Sequence, residues 1–329
     1  MTAWAPILQG FFTDRLTRQR RAGANTIAAY RDTYRLLLQF TQRRTGITPS
    51  KLDLVDLNAA LVTAFLQYLE SDRANTIATR NARLAAIHSL FRYAALQAPE
   101  HADDISRILA IPPKRSDRTV VCFLTAEETD ALLAAPDRTT RLGRRDHALL
   151  LVACQTGLRV SELTGLTRDD VHLGPGAHVR CHGKGRKDRV TPISRQTVAT
   201  LRVWLSESGG NHTDPVFATR QGHPLSRDAV EKLVAKHAAL AANNAPTLLA
   251  KRVTPHTLRH TTAMALLHAG VDTSVIALWL GHENPSTTQV YLHADMTIKE
   301  QALARVRPPN TAPGRYQPPD DLLKFLVEL

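Results

Sequence analysis

A short basic stretch with two adjacent prolines, IPPKRSDRTVV at residues 111–121, divides the sequence into two parts with different patterns. It has no helical period, and prolines interrupt regular structure, so residues 111–122 are predicted to be a linker. Apolar side chains before it recur at helical spacing, whereas those after it alternate between helical and strand-like patterns. A chain of 329 residues has room for two domains of about 100–200 residues each. Two domains joined by a basic linker are therefore expected.

Residues 1–110 are predicted to form an all-helical domain. Asn25-Thr26 can cap one helix with apolar residues on one face, and Asn75-Thr76 can cap another. Two further helices are predicted at 59–69 and 103–109. The apolar side chains at helical spacing are expected to form the domain core, so they indicate no function.

Residues 123–306 are predicted to form a mixed domain, mostly helical with a small β-sheet. Thr125 and Glu128 have the spacing of a capping box, and Gly157 is expected to end a helix over 144–155. Two strand-like runs, 177–181 and 189–193, flank the glycine-containing segment HGKGRKD and predict a hairpin. Further helices are predicted at 194–206, 227–242, 255–269, 273–280 and 286–291.

The composition favours a nucleic-acid partner. The formal net charge is +12, the sequence pI is about 10.0, and most of the 42 basic residues are arginine, which grips phosphates with a planar fork. An arginine-rich proteome would give the same bias, so charge alone leaves this open. The three cysteines are scattered and predict neither a disulfide framework nor a zinc ribbon. The longest apolar run, 148–154, is too short to cross a bilayer, and a cytoplasmic, nucleoid-associated protein is expected.

Six polar residues of the second part together have the chemistry needed to cleave a phosphodiester without a metal. Two guanidinium groups can neutralise the non-bridging oxygens, and a tyrosyl oxygen can form a phosphate ester. Histidine can take the tyrosine proton, and a lysine among arginines can protonate the leaving oxygen. These candidate catalytic residues are Arg159, Lys184, His256, Arg259, His282 and Tyr291.

Four strings give this set a family resemblance. TGLRVSEL (156–163), HGKGRKDRVTPI (182–193), HTLRHTTA (256–263) and LGHENPSTTQVYLH (280–293) resemble, in order and spacing, the successive motifs of the tyrosine recombinase (phage integrase) family. The resemblance covers roughly residues 123–305.

The resemblance implies a role for each residue that matches a motif. Arg159 and Arg259 would hold the scissile phosphate, and Lys184 would be the general acid. His256 and His282 would assist proton transfer and phosphate binding, and Tyr291 would be the nucleophile. Glu162 would be a buried acid that supports Arg159, and His260 is expected to support the phosphate-binding residues.

The family also implies an architecture and a reaction. Two domains, a helical core-binding domain and a mixed α+β catalytic domain, would form a C-shaped clamp around double-stranded DNA with inverted-repeat sites. A tetramer, with or without related recombinase subunits, would exchange strands through a 3′-phosphotyrosyl intermediate and a Holliday junction. No metal or nucleotide cofactor would be needed. Integration, transposition, excision and dimer resolution all use the same motifs.

Several alternatives stay open from sequence. Lys187 competes with Lys184, and Tyr316 competes with Tyr291, although Tyr316 lies in a proline-rich segment. His256 and His260 have the spacing of two zinc ligands on one helix, but Thr257 stands where a metalloprotease has glutamate. Arg159 could simply cap its helix or pair with Glu162. At the level of function, the alternatives are a type IB topoisomerase and a non-catalytic DNA-binding protein on a recombinase scaffold.

The C-terminal tail, residues 307–329, is predicted to mediate contacts between protomers. RPPNTAPGRYQPP contains five prolines and should be an extended spacer. Asp320 can then cap a short helix with an apolar stripe formed by Leu322, Phe325, Leu326 and Leu329. Because so short a helix is unstable alone in water, the stripe is expected to dock in a groove of a neighbouring protomer.

Overall fold

The computed structural model describes residues 2–115, 121–182 and 188–281. The chain divides into two compact units, Met1–Thr119 and Val120–Leu329, and the division falls within the stretch predicted as a linker. No helix in the described part of the chain is long and apolar enough to cross a membrane. The fold class predicted from sequence, mainly helical with one small sheet, is confirmed.

The regular elements among the described residues of the first unit are all helices, as predicted. An aromatic and aliphatic core that includes Trp4, Phe11, Tyr34, Phe65 and Phe91 holds its helices together. The α-helices are α1 (Trp4–Gly10, continued by a wider π-helical segment Phe11–Gln19), α2 (Ala24–Thr45), α3 (Ala59–Ser71), α4 (Ile77–Gln97) and α5 (Ala102–Leu109), with 3₁₀ turns at Pro49–Lys51, Leu54–Asp56 and Pro99–His101.

One helix start in this unit differs from the sequence prediction. Thr76 caps α4 as expected, its hydroxyl accepting a hydrogen bond from the backbone N–H of Thr79. The predicted Asn25-Thr26 cap of α2 is wrong, because the helix begins earlier, with Gly23 as its N-cap and no side-chain cap. Alanine at position 24 has a high helix propensity, and the Gly23 carbonyl accepts the bond that begins the helix, so no side-chain cap is required.

The second unit surrounds a buried helix, α7, with the other helices and a three-stranded sheet. Residues 148–153 of α7, which form most of the long apolar run of the sequence, are all buried. The elements are α6 (Ala126–Ala134), α7 (Arg141–Thr156), α8 (Val160–Thr164), β1 (Val171–His172), β2 (His178–His182), β3 (Asp188–Pro192), α9 (Arg195–Ser208), α10 (Arg227–Ala241), α11 (Pro255–His268) and α12 (Thr273–Leu280), with 3₁₀ turns at Arg168–Asp170 and Pro246–Ala250.

The sheet confirms the predicted hairpin and adds a strand to it. Strands β2 and β3 are antiparallel with Val179 opposite Thr191, and β1 pairs with the other edge of β2. Strand β1 has only two residues, too few for an alternating pattern to reveal it. The hairpin tip, residues 183–187, lies outside the described residues, as does the helix predicted at 286–291.

The predicted capping box of α6 is present and extends into the core. The Thr125 hydroxyl accepts a hydrogen bond from the N–H of Glu128, whose carboxylate accepts one from the N–H of Thr125. Lys251 donates to the same carboxylate at 2.6 Å and to the carbonyl of Phe123 at 2.9 Å. These bonds attach the first described residues after the linker to the body of the unit.

Gly157 ends α7, as predicted, and its position also depends on close packing. Its φ of +62° is in the left-handed region, where glycine avoids the strain that a Cβ causes. A Cβ there would lie 2.6 Å from Leu280 Cδ2 and 3.3 Å from Thr262 Cβ. The end of α7 therefore packs directly against α11 and the last residue of α12.

Gly157→Ala is expected to destabilise the second unit more than Gly270→Ala. Both glycines have positive φ, so each substitution should cost about 1–2 kcal/mol for a left-handed backbone. Only at Gly157 does the new methyl group meet neighbours, because nothing lies within 4 Å of a Cβ at Gly270. Crowding should add about 1–3 kcal/mol. Urea unfolding curves of the two variants measure the difference, and equal losses would contradict the packing argument.

Candidate active site

Two arginines from distant parts of the chain meet at the C-terminal end of α12. Arg159 Nη2 donates a hydrogen bond to the carbonyl of Gly281 at 2.9 Å. Arg259 Nη2 donates to the carbonyl of Leu280, and its Nη1 donates to the carbonyl of Gly157, both at 2.6 Å. The last carbonyls of a helix have no partner within the helix and carry partial negative charge, so they attract cations. The structure thus brings together the two arginines that the sequence predicted as phosphate ligands.

Glu162 anchors Arg159 from the opposite side. The backbone N–H of Arg159 donates to Glu162 Oε2 at 2.7 Å, and Arg159 Nη1 donates to Oε1 at 2.9 Å. From sequence, capping and pairing with Glu162 were alternatives to a functional role for Arg159. In the structure Arg159 makes these local bonds while Nη2 reaches Gly281, and the side chain keeps 34% of its surface exposed.

A third arginine, Arg189 on β3, also binds Glu162. Its Nη1 and Nη2 donate to Oε1 and Oε2 at 2.9 and 2.8 Å. The sequence prediction assigned no role to Arg189, although its string was part of the family resemblance. Strand alternation offered one signal, since Arg189 lies two residues before buried Thr191 and so on the same face of β3.

Glu162 remains ionised at neutral pH despite its burial. Burial alone would raise the pKa of the carboxyl group, but hydrogen bonds from Arg189 and from the backbone of Arg159, with the charge of Arg189, hold the pKa below its usual value. The four hydrogen bonds fill both acceptor positions of each carboxylate oxygen. Glu162 is therefore a fixed negative charge between two guanidinium groups.

Gly281 joins this cluster to the next segment of the chain. Its φ is +65°, and a Cβ there would lie 2.7 Å from Arg189 Nη1, so the backbone approaches this arginine as closely as glycine allows. The residue that follows in sequence is His282. His282, Tyr291 and Lys184 lie outside the described residues, as do their competitors Lys187 and Tyr316.

His256 and His260 lie on the first turns of α11, before and after Arg259. Thr254 caps this helix and Pro255 occupies its first position, a combination that favours a helix start. The two imidazole rings meet edge to face, with centroids 4.2 Å apart. His256 is exposed by its surface area, but the neighbouring protein removes part of its hydration, which lowers its pKa, and the charges of Arg259 and Arg159 lower it further. His256 is therefore neutral at pH 7 and able to accept a proton.

The alternative of a zinc site on α11 has no support among the described residues. Within that part of the chain, no group of three or more histidine, cysteine, aspartate or glutamate side chains is placed to hold a metal ion. Arginine side chains and a neutral histidine instead dominate the site. Such a cluster is suited to bind an anion with several oxygen atoms, such as a phosphodiester.

Comparison with known proteins agrees with the motif pattern. Residues 122–297 match the model of the phage integrase family. The chain is 53% identical over 325 residues to putative integrase/recombinase y4rC of Sinorhizobium fredii, covering 99% of this chain and 98% of that protein. It is 33% identical over 296 residues to the tyrosine recombinase XerD of Halalkalibacterium halodurans, covering 88% and 94%.

Solved structures of a site-specific recombinase and of a transposon integrase have the same fold. One is the site-specific recombinase XerH bound to a palindromic difH substrate in a post-cleavage complex, with a TM-score of 0.67, 22% identity, and coverage of 87% of this chain and 81% of that one. Another is the Tn1549 transposon integrase in complex with transposon right-end DNA, with a TM-score of 0.68, 17% identity and coverage of 93% and 99%. At these identities the likeness establishes the fold.

Arg159→Gln is expected to raise the pKa of His256, because it removes one of the two positive charges that disfavour the imidazolium. His147 is the internal control, since its pKa is lowered by burial and Arg138 rather than by Arg159. Histidine NMR titrations of the wild type and the variant measure both pKa values. The pKa of His256 in the folded protein lies below the unfolded value of about 6.5, so folding favours the neutral imidazole. The resulting contribution to the free energy of unfolding is fully present above that pH. The contribution is lost as the pH falls through the folded pKa. An unchanged His256 pKa would contradict the electrostatic link to Arg159.

Proposed function

The chain belongs to the phage integrase family of site-specific tyrosine recombinases, and we propose that its guanidinium cluster at the end of α12 binds the scissile phosphate of DNA. One observation carries this proposal. Arg159 and Arg259 contact the neighbouring carbonyls of Gly281 and Leu280, directly before the segment that contains His282 and Tyr291. The same contacts that organise the arginines therefore set the starting point of the segment with the proposed nucleophile.

The proposed reaction conserves the energy of the phosphodiester bond. The Tyr291 oxygen attacks the phosphorus, the bond from phosphorus to the 5′ oxygen breaks, and a 3′-phosphotyrosine forms. The 5′ oxygen leaves as a hydroxyl group with a proton from Lys184. A 5′ hydroxyl from the partner strand then attacks the phosphotyrosine, which rejoins the DNA and releases Tyr291. Two such exchanges, separated by a Holliday junction, complete recombination.

The other candidate site residues have distinct proposed roles in this reaction. Arg159 and Arg259 neutralise the charge that builds up on the non-bridging oxygens in the transition state. His256, neutral because of its lowered pKa, hydrogen-bonds the phosphate or accepts the tyrosine proton. His260, in ring contact with His256, orients it, and His282 assists from the following segment. Glu162 holds Arg159 without touching DNA.

Double-stranded DNA is the proposed partner. The solved relatives are described as complexes with DNA substrates, and the net charge of +12 suits a phosphate backbone. We propose that residues 1–110 act as the core-binding domain, that 123–306 act as the catalytic domain, and that together they clamp the DNA. We further propose that the DNA sites are inverted repeats and that a tetramer assembles on two paired sites. In this assembly, tail residues 320–329 dock on a neighbouring protomer. The relatives carry integrase and recombinase names, so neither a topoisomerase nor a non-catalytic binding protein is favoured.

Tyr291→Phe is expected to bind DNA normally and to form no covalent adduct, because phenylalanine keeps the ring and removes only the nucleophilic oxygen. Tyr316→Phe, the matched control, should form the adduct as the wild type does. The binding site is first located by footprinting the wild-type protein on DNA flanking its own gene. Nicked duplexes of that site then trap the covalent adduct, which is detected on a denaturing gel. An adduct with Tyr291→Phe but none with Tyr316→Phe would overturn the assignment.

Lys184→Ala is expected to slow cleavage by about 10²–10⁴-fold, the usual contribution of a general acid. Replacing the leaving 5′ oxygen by sulfur should restore most of the rate, because a thiolate leaves without a proton. Lys187→Ala should cleave the ordinary strand normally. Single-turnover cleavage of both substrates measures these rates, and sulfur rescue of Lys187→Ala instead would assign the acid to Lys187. A chelator should change none of them.

A further inference from the structure

Arg189 is the most buried partner of the active-site carboxylate. Its side chain is 11% exposed, against 34% for Arg159, and it binds both oxygens of Glu162. It is the second residue of β3, and its side chain is less exposed than that of Arg159. Glu162 thus has one mostly buried partner and one partly exposed partner.

The charge balance of this triad depends on Arg189. One carboxylate between two guanidinium groups leaves a net charge of +1. If Glu162 paired with Arg159 alone, the pair would be neutral, and the carboxylate would offset part of the attraction of Arg159 for a phosphate. With Arg189 in place, Glu162 can fix the orientation of Arg159 without neutralising the cluster.

The geometry adds a second link to the site. Arg189 Nη1 lies so close to Gly281 that a Cβ on that residue would be 2.7 Å away, and Arg159 donates to the Gly281 carbonyl. Arg189 therefore contacts both groups that hold the Arg159 guanidinium in place, the Glu162 carboxylate and the backbone of Gly281. Loss of Arg189 would leave two acceptor positions of a buried carboxylate empty.

We propose that Arg189 is a positioning residue for DNA cleavage, which compensates the charge of Glu162 so that Arg159 stays both oriented and positively charged towards the scissile phosphate. This inference rests on the proposed function, because it assumes that Arg159 binds that phosphate. Arg189 itself does not touch DNA in this scheme. Its effect on the reaction passes through Glu162 and Arg159.

The test compares two substrates that differ in phosphate charge. Nicked duplexes of the footprinted site contain either an ordinary scissile phosphate or a methylphosphonate, in which a neutral methyl group replaces one non-bridging oxygen. Single-turnover strand release is measured for the wild type, Arg159→Gln, Arg189→Gln and Arg189→Lys. The control is Arg145→Gln, since Arg145 is another mostly covered arginine of this unit (12% exposed) that binds a buried carboxylate, Asp146.

On ordinary DNA, Arg189→Gln should cleave about 10²-fold more slowly than the wild type, comparable to the loss of one transition-state hydrogen-bond donor. On the methylphosphonate its deficit should fall below tenfold, as should that of Arg159→Gln, because less negative charge needs compensation. Arg189→Lys keeps the charge and should lose less than tenfold on ordinary DNA. Arg145→Gln should show the same ratio to the wild type on both substrates.

An equal deficit of Arg189→Gln on the two substrates, as for the Arg145 control, would show a merely structural role and overturn the proposal. If the glutamine variant does not fold, judged by its circular dichroism, the lysine variant decides. A folded Arg189→Lys that loses more than tenfold on both substrates would equally overturn it. Failure of the wild type to form any adduct would instead overturn the proposed function, so the two failures are distinguishable.

Discussion

The candidate active site depends on the attraction between guanidinium groups and the carbonyl oxygens at the end of α12. Leu280 and Gly281 offer carbonyls that the helix cannot satisfy, and Arg259 and Arg159 supply the donors. Arg259 also binds the carbonyl of Gly157, so it joins the ends of α7 and α12 to α11. These contacts explain why the left-handed glycines at 157 and 281 lie beside the arginines. Each glycine lets the backbone approach an arginine closely. The carbonyls of Gly157, Gly281 and Leu280 can then accept hydrogen bonds from the guanidinium groups.

The same cluster concentrates positive charge where charge is costly to bury. Arg259 is 3% exposed, and it donates hydrogen bonds to the backbone carbonyls of Gly157 and Leu280. Glu162, the carboxylate in this cluster, is shared between Arg159 and Arg189. Guanidinium groups gathered in this way suit a site where an anion binds and develops further charge during a reaction.

The start of the second unit is tied to the helix that bears the catalytic candidates. The backbone N–H of Leu124 donates to the hydroxyl of Thr261 on α11 at 2.9 Å, and Lys251 binds the carbonyl of Phe123. Glu128 secures Lys251 at 2.6 Å from the first turn of α6. The residues that follow the linker are therefore hydrogen-bonded to α11, the helix that contains His256 and Arg259. Any displacement of this entry segment would act on the same helix that positions both residues.

Sequence alone was sufficient for features that depend on residues close together in the chain. The Thr125–Glu128 capping box, the Thr76 cap, the end of α7 at Gly157 and the β2–β3 hairpin all follow from local hydrogen bonding and alternation. Motif order was likewise sufficient to identify the family and to propose the catalytic residues. The Asn25-Thr26 cap was wrong because a backbone carbonyl can begin a helix without any side chain. Strand β1 was missed because two residues carry no period.

Only the tertiary structure showed which of these residues act on one another. Arg159 and Gly281 are 122 positions apart, and Arg189 and Glu162 are 27 apart, so no local pattern predicts either contact. From sequence, Arg159 could cap its helix, pair with Glu162 or serve the site, and these were alternatives. The fold makes them compatible, because a guanidinium group has five donors in a fixed plane. Packing of α8, β3 and α12 directs those donors to Glu162 on one side and to Gly281 on the other.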